Sequence, residues 1–154
     1  MKTILAPVDF SGVTSAVVDN ALSLGRAVGG RVVILHVVAP SIVPGDSTAM
    51  AVDLSQMQAM EEKGAAIQLS GLKARFRDSG VDVDTVEVGG MPTVQILEQA
   101  EAVGADYIVM GSHGHGAIYD LLIGGTTHAI LKRARCPVVV VPAHRGGSAG
   151  GAKK

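Results

Sequence analysis

The sequence predicts an α/β domain of the doubly wound, Rossmann-like kind: a five-stranded parallel sheet flanked by about four helices. Short runs rich in β-branched residues alternate with segments whose apolar residues recur at helical spacing, and this order implies parallel strands joined by right-handed crossovers. Composition agrees, since 47% of the 154 residues are hydrophobic, 18% are charged and only 3% are aromatic. That describes one compact domain with a core of Val, Ile, Leu and Ala.

The strand runs are Ile4 to Val8, Val32 to Val38, Val81 to Val88, Tyr107 to Met110 and Val138 to Val141, each bounded by turn residues. The second, fourth and fifth are continuously apolar, as strands covered on both faces must be. Val81-Asp82-Val83-Asp84-Thr85-Val86-Glu87-Val88 alternates with period two and reads as an edge strand.

Between the first two runs, Val13, Ala16, Val17, Ala21, Leu24 and Val28 mark a helix with Ser11 as N-cap and Gly29-Gly30 as its stop. Leu54, Met57, Ala65, Leu69, Leu72 and Phe76 mark a longer helix ending near Gly80 and loosened at Gly64. Pro92 opens a third, carrying Ile96, Leu97 and Ala100, and Thr127, Ile130 and Leu131 mark a fourth. Ala39 to Thr48 reads as a surface loop. The tail from His144 to Lys154 lacks a large apolar anchor, so the expected domain spans residues 1–143 and a flexible Gly/Lys-rich tail spans 144–154.

Several function classes are disfavoured. A net charge of −1 supplies no electrostatic reason to bind nucleic acid or an anionic membrane. Every apolar run is far shorter than the roughly 20 residues a membrane helix needs. Pro7 and Asp9 interrupt the place where an export signal would carry its apolar stretch, so a cytoplasmic location is expected. Cys136 is the single cysteine, which fits a reducing compartment and reads as a core residue.

In open parallel sheets, ligands sit beyond the carboxyl ends of strands where the strand order reverses, so the loops after strands are the place to look. After the fourth run comes Gly111-Ser112-His113-Gly114, then Gly124-Gly125-Thr126-Thr127 opening a helix. Glycines let backbone N–H groups approach phosphate oxygens, and a helix start adds unpaired N–H donors and the positive end of its dipole. Each glycine alone is as well explained by a tight turn or a helix start. Their combination with the two threonines, directly after a buried strand, favours an anion site.

The spacing Gly111, Gly114 and Gly124 resembles the ATP-binding signature of universal stress proteins, as do Ile4-Leu5-Ala6-Pro7-Val8-Asp9-Phe10-Ser11, Leu35-His36-Val37 and Cys136-Pro137-Val138 in order and spacing. The resemblance implies an ATP-binding regulatory protein of the stress response, with Mg in attendance and ADP or AMP as alternatives. It implies Pro7, Val8 and Asp9 against adenine and ribose, Val37 at the adenine edge, and Met110, Gly111, His113, Gly114, Gly124 and Gly125 around ribose and phosphates. The family places Ser or Thr after the third glycine, and this chain has Gly125, so either that hydroxyl ligand is missing and the Gly125 N–H remains, or Thr126 or Thr127 supplies the oxygen. Asp9 is equally a helix-capping acid. Family members pair through the last strand, which implies a homodimer through Val138 to Val141.

Other nucleotide motifs fail. A Walker loop needs Lys after its last glycine, and a dinucleotide fingerprint needs its glycines after the first strand. His113, His115 and His128 lack a Cys or Glu to complete a metal set, and His36 reads as a satisfied core histidine. Ser112-His113-Gly114-His115 is one residue short of a nucleotidyltransferase motif. No general base or nucleophile stands out, so holding a nucleotide is favoured over hydrolysing one. A slow ATPase or autophosphorylating enzyme and a structural dimer that binds no nucleotide stay open.

Overall fold

The computed structural model describes residues 1–40, 48–113 and 123–143, with the backbone alone over 48–54. Its elements alternate as expected: β1 (Thr3–Val8), α1 (Thr14–Val28), β2 (Arg31–Val38), α2 (Thr48–Ala74), β3 (Val83–Gly89), α3 (Pro92–Ala102), β4 (Tyr107–Gly111), α4 (Gly125–Arg133) and β5 (Val138–Val141). All strands pair in parallel in the order β3-β2-β1-β4-β5.

Successive residues of a strand point to opposite faces, and here both faces are packed. Ile4, Ala6 and Val8 of β1 join Val17, Val18 and Ala21 of α1 and Leu69 of α2 in one cluster. Leu5 of the same strand joins Val33, Leu35 and Ile108, with Ile96 of α3 and Ile130 of α4, in the other. This is why the central strands read as continuous apolar runs.

Several expectations shift. Val13, not Ser11, occupies the N-cap of α1, with no side-chain capping bond. Asp9 Oδ1 accepts the Ser11 N–H at 3.0 Å, and Phe10 adopts φ 59°, so the chain turns before the helix can begin. Ser11 contributes its carbonyl to the Thr14 N–H. Gly29, in the left-handed conformation, ends α1 as expected. The third strand starts at Val83 rather than Val81, because the Val81 N–H is taken by Ser79 Oγ in a turn.

Helix α2 runs unbroken through Gly64, and its inward residues are Ala65 and Leu69 while Met57 is exposed. The side chain of Leu54 lies outside the described residues, as do 41–47 of the expected surface loop and the tail. β3 is an edge strand as its alternation indicates. β5 is the other edge: Val139 is 38% exposed, so that strand is not covered on both faces within one copy of the chain. Cys136 is half-buried, and its partial burial pushes the thiol pKa up. No described helix is long and apolar enough to cross a membrane.

Candidate functional site

β1 and β4 lie side by side, yet β1 leads away through β2 and β3 on one side while β4 leads to β5 on the other. Their carboxyl ends therefore flank a topological switch point, where diverging crossovers leave a gap above the sheet. A cleft of about 900 Å³ opens there.

On the β1 side it is lined by Pro7, Val8, Asp9 and Phe10. The Asp9 carboxylate accepts the Ser11 N–H, so its capping role and its exposure at the cleft coexist. The Phe10 ring lies 4.3 Å from that of His36, centroid to centroid. His36 Nδ1 is 3.0 Å from the Val8 carbonyl, which can only accept, so Nδ1 carries the hydrogen. His36 is thus satisfied, as expected, but it is half-buried on the cleft wall rather than enclosed in the core.

On the β4 side, a Cβ at Gly111 would fall 2.5 Å from Val13 Cγ1, so only glycine lets this strand end pass close to α1. Ser112 follows, nearly fully buried. Its N–H donates to Val141 at 2.8 Å and its carbonyl accepts the Gly124 N–H at 2.7 Å, so one residue joins β4, β5 and the cap of α4.

Helix α4 begins at Gly125 with Gly124 as N-cap, and its first internal bond runs from the His128 N–H to Gly124 at 2.9 Å. The N–H groups of Gly125, Thr126 and Thr127 precede that bond and have no carbonyl of their own helix to pair with. The Thr127 hydroxyl turns inward to the Gly111 carbonyl, leaving the half-buried Thr126 as the α4 threonine whose hydroxyl is not tied to β4. Of the two threonines offered as substitutes for a hydroxyl at position 125, the geometry thus separates one from the other.

Pro7, Val8, Asp9, Val37, Met110, Gly111, His113, Gly124, Gly125, Thr126 and Thr127 all line this one cleft; Gly114 and His115 lie outside the described residues. Sequence reasoning missed Phe10, Thr14, His36, Glu61, Gln68 and Ile96, which line it too. Phe10 and His36 adjoin the recognised strand ends and were within reach. Glu61, Gln68 and Ile96 come from α2 and α3 through packing, and nothing local marks them.

The charged side chains among the described lining are two carboxylates, Asp9 and Glu61. The Ser11 hydroxyl and that of the cleft-lining Thr14 are buried without a hydrogen-bond partner among the described residues. His128 is exposed, and no three potential metal ligands converge among the described residues.

Comparison with known proteins gives a consistent picture. A model of the Universal stress protein family matches residues 1–142. The universal stress protein MJ0531 of Methanocaldococcus jannaschii is 31% identical over 140 residues, covering 91% of this chain and 81% of that one. MJ0577 of the same organism is 28% identical over 152 residues, covering 91% of this chain and 94% of that one. Its solved structure superposes with a TM-score of 0.79, covering 94% of this chain and 98% of that one. The universal stress protein UspA from Lactobacillus plantarum, 25% identical, superposes with a TM-score of 0.82 over 91% of this chain and 97% of that one.

Proposed function

As the chain belongs to the universal stress protein family, we propose that it is a regulatory protein of the stress response whose switch-point cleft holds an adenine nucleotide, with ATP the ligand its glycine signature fits. The observation that carries this reading is the meeting of the β1 end, Gly111 and the leading N–H groups of α4 around one cleft of about 900 Å³. That volume is in the range of small-ligand sites, roughly 300–1,000 Å³. Universal stress proteins of this fold have been solved with cAMP and, from Archaeoglobus fulgidus, with dAMP.

In this reading Asp9 accepts hydrogen bonds from the ribose or adenine, and Val37 and Met110 pack against the base and sugar. The N–H groups of Gly125 and Thr126, with the Thr126 hydroxyl, His113 and Gly114, hold phosphate oxygens. A divalent cation such as Mg, when bound, offsets triphosphate charge. The chain needs that help, because the described lining supplies carboxylates and no Lys or Arg. We place the protein in the cytoplasm and expect a homodimer through the open edge of β5.

The reading is tested by denaturing freshly purified protein, identifying any released nucleotide by mass spectrometry, and titrating ATP, ADP and AMP by calorimetry with Mg. Bound adenine nucleotide that disappears in Gly114→Val is the expected result. No released nucleotide and no heat with any of the three refutes it. Steady phosphate release abolished by Gly114→Val replaces the holding role with a slow ATPase.

A further inference from the structure

We propose that Ser112 is a positioning residue that fixes the tautomer of His113, so that the neutral imidazole carries its hydrogen on Nε2 and presents an N–H donor rather than a lone pair on that side. This rests on the reading of the cleft as a nucleotide site only for its consequence in binding; the tautomer itself follows from the protein alone.

Ser112 is 6% exposed and does not line the cleft, whereas the adjoining His113 does. Its backbone is held at both ends, by Val141 and by Gly124, so its side chain has a fixed origin. The Oγ atom is 3.2 Å from the Ala143 N–H and 2.9 Å from His113 Nδ1. An amide N–H can only donate, so Ala143 takes one of the two acceptor positions of the hydroxyl.

One hydrogen then lies between Oγ and Nδ1. If it belonged to Nδ1, the hydroxyl would accept twice and send its own hydrogen elsewhere. Ser112 is buried, and no other acceptor bonds its Oγ among the described residues. A buried hydroxyl hydrogen without an acceptor is unfavourable, whereas a hydroxyl that accepts from Ala143 and donates to Nδ1 is satisfied on every count. Nδ1 is then the unprotonated nitrogen, and a neutral imidazole has its hydrogen on Nε2.

In the neutral tautomer, the group this selects opposite Nε2 is an acceptor oxygen, such as a phosphoryl oxygen. The relay also begins two residues after the end of β5, so the dipeptide leaving the edge strand helps set the tautomer of a cleft-lining histidine.

The test is long-range ¹H–¹⁵N spectroscopy of ¹⁵N-histidine-labelled, ligand-free protein at a pH where His113 is neutral, with His113→Gln for assignment. The proposal expects His113 Nδ1 at an unprotonated shift and Nε2 at a protonated one. Ser112→Ala should mix the tautomers and weaken nucleotide binding on the order of tenfold, the value of one hydrogen bond, and Ser112→Thr should restore both. A protonated Nδ1 in the unsubstituted protein overturns the proposal, as does an unchanged tautomer in Ser112→Ala. If Ser112→Ala does not fold, the spectrum of the unsubstituted protein decides by itself. A correct tautomer in a protein that binds no nucleotide refutes the proposed function and leaves the relay standing.

Discussion

The Thr127 hydroxyl donates to the Gly111 carbonyl at 2.8 Å, tying the first turn of α4 to the last residue of β4. Thr127→Val keeps the shape and removes the donor, so the carbonyl loses that partner in a buried setting. The expected cost is about 1–3 kcal/mol in urea unfolding. Thr126→Val, one residue away on the cleft wall, should change stability by less than about 0.5 kcal/mol and instead weaken nucleotide binding in calorimetry.

Thr14 gives the opposite sign for the same substitution. Its hydroxyl is buried with no hydrogen-bond partner among the described residues, so the folded state already bears the desolvation cost. Thr14→Val should stabilise the protein by about 1 kcal/mol, read from the same urea curves. A destabilisation comparable to that of Thr127→Val would show that the hydroxyl is satisfied in solution.

Two glycines of the site should respond in contrary ways. Gly111→Ala places a Cβ 2.5 Å from Val13 Cγ1 and 3.2 Å from the His113 carbonyl, and should cost about 1–3 kcal/mol through overpacking. At Gly125 a Cβ meets nothing within 4 Å among the described residues. Gly125→Ser should add about 0.5 kcal/mol of helix propensity and supply the hydroxyl that the family signature carries there. Thermal shift with Mg and ATP should then increase.

The Lys2–Asp106 pair, 2.7 Å apart, should shape stability at the two ends of the pH scale. The hydrogen bond from Lys2, then the Thr3 N–H, hold the Asp106 carboxyl below its ordinary 3.8. The contribution of Asp106 is therefore complete above that value and lost as pH falls through the lower folded one. The same hydrogen bond, then the charge of Asp106, raise Lys2 above 10.5, so its contribution is complete below that value and lost as pH rises through the higher folded one. Asp106→Asn should flatten the fall of the urea midpoint in acid. Lys2 is exposed and Asp106 only half-buried, so high salt should shrink the difference.

The edge strand β5 is expected to pair with a second copy. Val139 is 38% exposed on it, and the unpartnered side of the strand offers backbone groups for pairing. Light scattering should report a dimer, and Val139→Lys should shift it to monomer. A monomer in the unsubstituted protein would remove this proposal without touching the cleft.

Much of this protein was legible in its sequence because the relevant signals are local. β-branched runs, helical spacing of apolar residues and strict alternation were enough for a parallel sheet with crossover helices, and glycines after the fourth strand marked one wall of the cleft. Errors fell where local signals compete. Ser11 looks like a cap, but the Asp9 turn and the positive φ of Phe10 delay α1 to Thr14. Val138 to Val141 looks like a strand covered on both faces because it is continuously apolar, yet it lies at the sheet edge with Val139 38% exposed.

What the sequence by itself determined was the kind and order of the elements and the glycines, Gly111, Gly124 and Gly125, that line the cleft. Which strands become neighbours was decided by the tertiary structure, because pairing Leu5 with both Val33 and Ile108 depends on contacts far apart in the chain. That placement sets the β1 and β4 ends side by side and brings Glu61, Gln68 and Ile96 to the same cleft. It also commits Thr127 to Gly111 and Ser112 to Ala143 and His113, leaving Thr126 at the cleft wall. A hydroxyl can bond to whatever acceptor the fold delivers, and only the packed chain determines which one arrives.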